Sequence, residues 1–363
     1  MSCIDRIGLI SPIHYRPLVM HISEFDYDLP AELIAQYPLA ERDASRMLVL
    51  DRQNHTWFDS TFREFPNYVK QNDVVVVNNT RVIPARLKGR RKSTGGSVEV
   101  FLVRELEPNL WSALVRPSSR LHEGMRVVFG EGQLEAVFLD EPGTDLRTVR
   151  FEFEGSLEAV LSEVGSTPLP PYIKRPEGVS LADNLRYQTV YSKAQGAIAA
   201  PTAGLHFTQA TLNRLRDRNQ LAEITLHVGY GTFEPVRVDD VNEHEVSGEV
   251  FEILPAAARQ INEARRNGGR VIAVGTTTTR ALETATNDDA EVVASSSEAT
   301  LTIKPGYRFR AVDALLTNFH LPRSSLLILV SALAGRELVL KAYEHAVQQR
   351  YRFYSYGDCM LIM

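Results

Sequence analysis

Cysteine is almost absent. The 363-residue chain has two, Cys3 and Cys359, at opposite ends. Two distant thiols cannot form a disulfide scaffold, and without a CxxC pair a structural zinc site has no ligand set. Such usage fits a reducing cytoplasm. Long apolar runs are missing too. The strongest, 326–333, falls far short of the ~20 residues that span a bilayer, so it is expected as a buried helix or strand. The weak apolar patch at 7–10 is broken by Pro12, His14 and Arg16, a poor signal-peptide core. Nor is there a surplus of positive charge. The formal net charge is −5, so any polyanion contact must rest on a local basic patch. A P-loop is absent, as is a glycine-rich nucleotide loop after a first strand, which counts against an ordinary methyltransferase.

What is present is long enough for a large core and two domains. Residues 1–19 lack periodicity and are expected to be a disordered extension or a misassigned start, with Met20 a second possible start. Pro30 opens a short helix. Residues 46–50 read as a first strand, and Asp73 followed by four valines as a strand covered on both faces. From 80 to 154 short β-rich runs alternate with glycine turns, the texture of a small antiparallel barrel or sandwich. Helical periodicity resumes at 157–161. The expected fold is therefore α/β: a mixed-sheet domain, 20–79 and 155–363, interrupted by a β-barrel domain, 80–154. Further on, helices are expected at 208–221 and 256–267, a buried strand at 270–274, and a mobile acidic loop at about 287–299.

The stretch 196–233 concentrates the candidates for chemistry. Gly196 to Phe207 combines small residues and Pro201 with His206, and after a helix-length spacer His227-Val228-Gly229-Tyr230-Gly231-Thr232-Phe233 follows. Glycines let backbone approach a ligand, and imidazole titrates near neutrality. Turn chemistry around two structural histidines is the plainer reading of the same residues. Gly275 and the threonines 276–279 follow a strand and precede a helix, a geometry that presents backbone N–H groups to an anion, although taken alone ordinary helix capping is the favoured reading. Arg81, Arg86, Lys88, Arg90, Arg91 and Lys92 form a cationic run without an acid, either a solvated face or a phosphate contact. The proline segment 167–176 is a linker or a ligand-facing wall. The arginine-aromatic texture of 351–358 fits core packing better than base stacking.

Taken in order, these motifs resemble the S-adenosylmethionine:tRNA ribosyltransferase-isomerases of queuosine biosynthesis. The pieces are Asn78-Asn79-Thr80-Arg81, Pro168-Leu169-Pro170-Pro171-Tyr172-Ile173, Tyr187-Gln188-Thr189-Val190-Tyr191, Ala200-Pro201-Thr202-Ala203-Gly204-Leu205-His206-Phe207, His227-Val228-Gly229, Thr317-Asn318-Phe319-His320-Leu321-Pro322, and Ser355-Tyr356-Gly357-Asp358. The resemblance runs from about Met20 to the C-terminus. One departure stands out: where the family reads His-x-Met-His-Ser-Glu, this chain has His244-Glu245-Val246-Ser247-Gly248-Glu249.

The resemblance implies an α/β domain interrupted by a barrel. It also implies transfer and isomerisation of the ribosyl group of S-adenosylmethionine onto 7-aminomethyl-7-deazaguanine at the tRNA wobble position, giving epoxyqueuosine with loss of adenine and methionine. S-adenosylmethionine would be a consumed co-substrate, with no cofactor and no metal, and the protein is expected to act as a cytoplasmic monomer. On this basis His206, His227 and His320 are expected to be catalytic. Thr202, Gly204, Gly229, Gly231, Thr232, Thr276, Thr277, Arg280 and Asn318 are expected to bind substrate, with Arg280 or the threonine turn on the methionine carboxylate. Arg81, Arg86 and Arg310 are expected to meet tRNA phosphates. An RNA-binding module built on the barrel is the non-enzymatic alternative.

Overall fold

The computed structural model describes residues 19–143, 146–233 and 236–363. The expected extension therefore lies, apart from Val19, outside the described residues. A nine-stranded sheet organises the chain, in the order Ser295–Ala299, Glu249–Ile253, Leu221–Leu226, Val74–Asn78, Val271–Val274, Ala314–Asn318, Cys359–Ile362, Arg46–Asp51 and Thr56–Thr61. The four strands from Leu221–Leu226 to Ala314–Asn318 run parallel to their neighbours, so their carboxyl ends share one edge. The flanking strands Glu249–Ile253 and Cys359–Ile362 pair antiparallel to that group.

Alternation along these strands explains why they read as continuous apolar runs. Val74 and Val76 face a core with Ile261, Leu282, Leu327 and Val339 from the helices Pro255–Arg266, Thr276–Thr284, Ser325–Ala334 and Arg336–Gln348. Val75 and Val77 face a second core with Phe62, Phe65, Phe207, Leu212 and Leu215. Both faces are covered, as parallel strands require.

The six strands Arg86–Arg91, Ser97–Glu107, Leu110–Arg116, Arg126–Phe129, Leu134–Phe138 and Leu146–Phe153 form an antiparallel barrel, closed by pairing of the first with Arg126–Phe129. Its own core includes Leu87, Val100, Trp111, Phe129 and Phe151. The stretch after Gly196 joins the two bodies: Ile198 is packed in the barrel core, whereas its neighbours Ala197 and Ala199 belong to the sheet core.

Several expectations change. The helix foreseen at 208–221 ends at Arg216, because Leu221 already pairs with Val75 in the sheet. The loop foreseen at 287–299 ends in an edge strand, Ser295–Ala299, whose polar side chains suit its exposed position. The threonines after Gly275 are the first turn of the helix Thr276–Thr284, with Thr278 and Thr279 hydroxyls donating back to Val274 and Gly275 carbonyls. Two expectations hold: the run 326–333 is a buried helix, and Tyr351 and Phe353 are core residues. None of the helices is long and apolar enough to cross a membrane among the described residues.

Barrel closure depends on Gly89. A Cβ there would lie 2.6 Å from both the Phe129 ring and the Val128 carbonyl oxygen on the closing strand. Gly89→Val is expected to cost about 1–3 kcal/mol, the usual penalty of overpacking, read as a lower urea midpoint. An unchanged midpoint would mean that closure tolerates the extra volume.

Candidate functional site

Parallel strands covered on both faces leave their carboxyl ends as the place where polar groups can converge. A cleft opens there, with polar groups on its floor and aromatic rings along its wall. Val228 lines it after one parallel strand, Gly275, Thr276 and Thr277 after the next, and Thr317, Asn318 and His320 at the end of the third. Residues 199–203 and the rings of Tyr172, Tyr187 and Tyr354 complete the wall. Of the residues singled out from sequence, Thr202, Thr276, Thr277, Asn318 and His320 thus meet in one place.

His320 is the histidine that lines this cleft. Its Nε2 lies 2.9 Å from Thr317 Oγ1, and its backbone N–H donates to the Tyr343 hydroxyl oxygen at 3.1 Å. Burial drives its pKa from 6.5 down to about 3, so the ring is neutral at physiological pH.

His206 lies beneath the cleft instead. Its Nδ1 is 2.9 Å from Ser45 Oγ, its Nε2 is 3.3 Å from Asn318 Nδ2, and its ring packs on Phe62. It lines a separate small cavity with Arg42 and Arg186. Burial, then the Arg42 and Arg352 charges, lowers its pKa to about 4. With both nitrogens held by protein, direct proton transfer to a ligand is the wrong role for it. His227 is elsewhere again: Nδ1 is 2.8 Å from Thr80 Oγ1, and Val228, not His227, faces the cleft. Burial lowers its pKa, opposed by Glu252.

The glycines expected to make room for a ligand make room for protein. A Cβ on Gly196, whose φ is +142°, would sit 2.8 Å from the His227 ring. On Gly204 it would meet the Tyr191 hydroxyl at 2.0 Å, and on Gly231 the Ser247 Cβ at 2.9 Å. The Gly229 N–H donates to Glu249 Oε1 at 2.8 Å. Gly204 and Gly229 do not line the cleft, and Gly231 lines an adjoining one that shares Leu326. Thr232 sits in the turn Tyr230–Phe233, and its side chain is outside the described residues.

Arg280 is spoken for. It pairs with Glu249 at 2.5 Å and donates to the carbonyls of Leu301, Ser247 and Ala299, which removes it as a clamp for a methionine carboxylate. Arg310 is set back as well. Its N–H donates to Glu283 and its guanidinium meets Asn287 and Asp288. Glu283 is seven residues along the helix from Thr276 (283 − 276), roughly 10 Å of axial rise from the cleft. Arg81 is exposed, and Arg86 is half-buried with its guanidinium 5.7 Å above the Phe101 ring. Arg86 lines a groove with Lys88, Pro170, Pro171, Ile173 and Lys174. Tyr172, between Pro171 and Ile173, lines the cleft, so one proline segment walls both. The tyrosines and Ser355 of the cleft carry no sequence signal as ligands beyond their place in the motifs. No cluster of metal-ligating side chains is found among the described residues.

Comparison with known proteins adds an independent line. Residues 22–362 match the family described as "Queuosine biosynthesis protein". The chain is 50% identical over 345 residues to the S-adenosylmethionine:tRNA ribosyltransferase-isomerase of Pelotomaculum thermopropionicum, covering 95% of this chain and 100% of that protein. The protein of that name from Symbiobacterium thermophilum is 49% identical over the same shares. The crystal structure of S-adenosylmethionine tRNA ribosyltransferase from Thermotoga maritima is 36% identical, with a TM-score of 0.52, and covers 94% of this chain and all of that one.

Two buried neutral histidines couple stability to pH. Because folding depresses the pKa of His206 to about 4 and of His320 to about 3, from 6.5, the unfolded chain takes up protons first as pH falls. Their contribution is intact above about pH 6.5 and lost progressively as pH drops through those folded values. Denaturant titrations between pH 7 and 5 should show stability falling, and His206→Gln should flatten the slope by up to about 1.4 kcal/mol per pH unit. Identical slopes would mean that His206 is not held neutral.

Proposed function

The chain belongs to the queuosine biosynthesis protein family, and we propose that it transfers and isomerises the ribosyl group of S-adenosylmethionine onto tRNA. The acceptor in this reading is the aminomethyl group of a 7-deazaguanine at the wobble position. The product is epoxyqueuosine-tRNA, and adenine and methionine leave. S-adenosylmethionine is consumed, and the chemistry calls for no other cofactor. The observation that carries the proposal is a polar-floored, tyrosine-walled cleft at the carboxyl ends of the parallel strands, in a chain half identical to relatives named for this activity. We place the reaction in the cytoplasm and expect a monomer.

The residues suit the steps. A sulfonium acidifies the neighbouring ribose carbon, and His320, the imidazole in the cleft wall, is our candidate to accept that proton, the departing positive charge of the sulfonium offsetting the burial that otherwise disfavours its protonation. The resulting ylide rearranges the sugar, the acceptor amine attacks and loses a proton, and adenine departs with one. Burial holds the Tyr354 hydroxyl protonated, its pKa pushed up to about 12, so it can donate a hydrogen bond to the departing base. Thr276 and Thr277, at the positive end of their helix, suit the methionine carboxylate. Arg86, Lys88 and Lys174 along the proline wall, with the exposed Arg81 earlier in the same stretch of chain, form the cationic approach for tRNA phosphates.

Incubation with S-adenosylmethionine and tRNA bearing the deazaguanine precursor should release one adenine per modified tRNA. S-adenosylhomocysteine instead would identify a methyltransferase, and neither product an RNA-binding module. His320→Ala should lower turnover by about two to four orders of magnitude while the fold, read by circular dichroism, persists. A loss under about tenfold would remove it as the base. Arg81→Ala with Lys88→Ala should weaken tRNA binding and reduce the salt slope by about one per lost phosphate contact. An unaltered slope would return that face to plain solvation.

A further inference from the structure

Asn318 ends the parallel strand Ala314–Asn318 and lines the cleft, yet it is only 3% exposed. Its amide nitrogen faces the Tyr354 carbonyl oxygen at 3.0 Å, the Asp358 carbonyl oxygen at 3.4 Å and His206 Nε2 at 3.3 Å. Carbonyl oxygens only accept, so the atom opposite two of them must be the NH₂ group, and the flipped amide is excluded. The other end of the amide, Oδ1, is buried with no protein partner. A buried acceptor left unpaired is costly, and this one belongs to a residue of the cleft wall.

The surroundings hold the amide in that orientation. His206 Nε2 faces a donor and so must be the unprotonated nitrogen. The proton is on Nδ1, directed at Ser45 Oγ, which in turn donates to the Arg42 carbonyl at 3.4 Å. Tyr354 adopts φ +71°, a costly conformation for a bulky residue, and its carbonyl is the 3.0 Å partner of Asn318. Gly357 packs so tightly beneath this turn that a Cβ would lie 2.4 Å from the Arg352 carbonyl oxygen.

A ligand seated against Asn318 in the cleft satisfies Oδ1 if it presents an N–H or O–H there. Around Asn318 the wall is made of the Tyr172, Tyr187 and Tyr354 rings and the small residues Ala199 and Ala200, flat apolar surfaces that suit a purine better than a ribose. We infer that Asn318 Oδ1 is the specificity contact for the 6-amino group of the donor's adenine, and that His206 is a positioning residue that fixes the amide. The inference rests on S-adenosylmethionine being the donor. A 6-oxo base would set its carbonyl against Oδ1, acceptor facing acceptor.

The test compares S-adenosylmethionine with its 6-oxo counterpart S-inosylmethionine, by calorimetry without tRNA and by base release with precursor tRNA. The wild-type protein should prefer the 6-amino donor by about 10³-fold or more in kcat/KM, as sites built around one polar contact do. Asn318→Leu should bring the two within about tenfold, mainly by losing the 6-amino donor. His206→Leu should raise KM for S-adenosylmethionine at least tenfold with kcat nearly unchanged, the split expected of a binding contact. Wild-type protein that takes both donors equally, or folded Asn318→Leu that keeps the wild-type preference, overturns the inference. Should Asn318→Leu not fold, the wild-type preference and His206→Leu decide. Failure of the ribosyl-transfer reading looks different: the 6-amino donor binds in the calorimeter but releases no adenine when tRNA is added.

Discussion

Covering both faces of four parallel strands is the constraint from which the rest follows. Once Val74 and Val76 are committed to one core and Val75 and Val77 to the other, the sheet has no open face on which to build a site. Only the strand ends remain, and at the carboxyl edge Val228, Gly275 and Asn318 come together although they are far apart in the chain. The inserted barrel does not disturb this edge. Its strands pair among themselves, and Ile198 ties its core to the stretch that lines the cleft.

The same burial decides what the polar groups can do. Charges are either paired, as Arg280 is with Glu249, or left exposed to solvent, as Arg81 and Lys88 are. Histidines inside are neutral because the surroundings cannot solvate an imidazolium. In the proposed reaction a positively charged sulfonium donor would meet a neutral, hydrogen-bonding wall rather than a repelling one, and the polyanion would approach along the cationic groove. The division of labour between a neutral cleft and a charged rim follows from desolvation costs.

Much of the fold could be read from the sequence because its signals are local. The valine run, the strand before Gly275 and the glycine-punctuated strands of the barrel each depend on patterns a few residues long. The candidate site was legible as a set of motifs but not as a set of roles. His206 looks like a reactive imidazole until Ser45 and Asn318, 161 and 112 residues away, are found on its two nitrogens. Gly204 looks like room for a ligand until Tyr191 fills that room. Arg280 looks like an anion clamp until Glu249 takes it. Each of these depends on long-range contacts that no local pattern encodes. The edge strand Ser295–Ala299 was missed for another reason: its outward polarity reads as a loop.

The proposed chemistry requires the nucleoside to enter at the carboxyl edge of the sheet and not on the barrel. A photoreactive 8-azido analogue of S-adenosylmethionine, cross-linked to the protein and mapped by peptide mass spectrometry, tests this most directly. Label should fall within residues 199–203, on 317, 318 or 320, or on 354–355, all of which line the cleft, and be competed away by S-adenosylmethionine. Competed label confined to the barrel strands would contradict it.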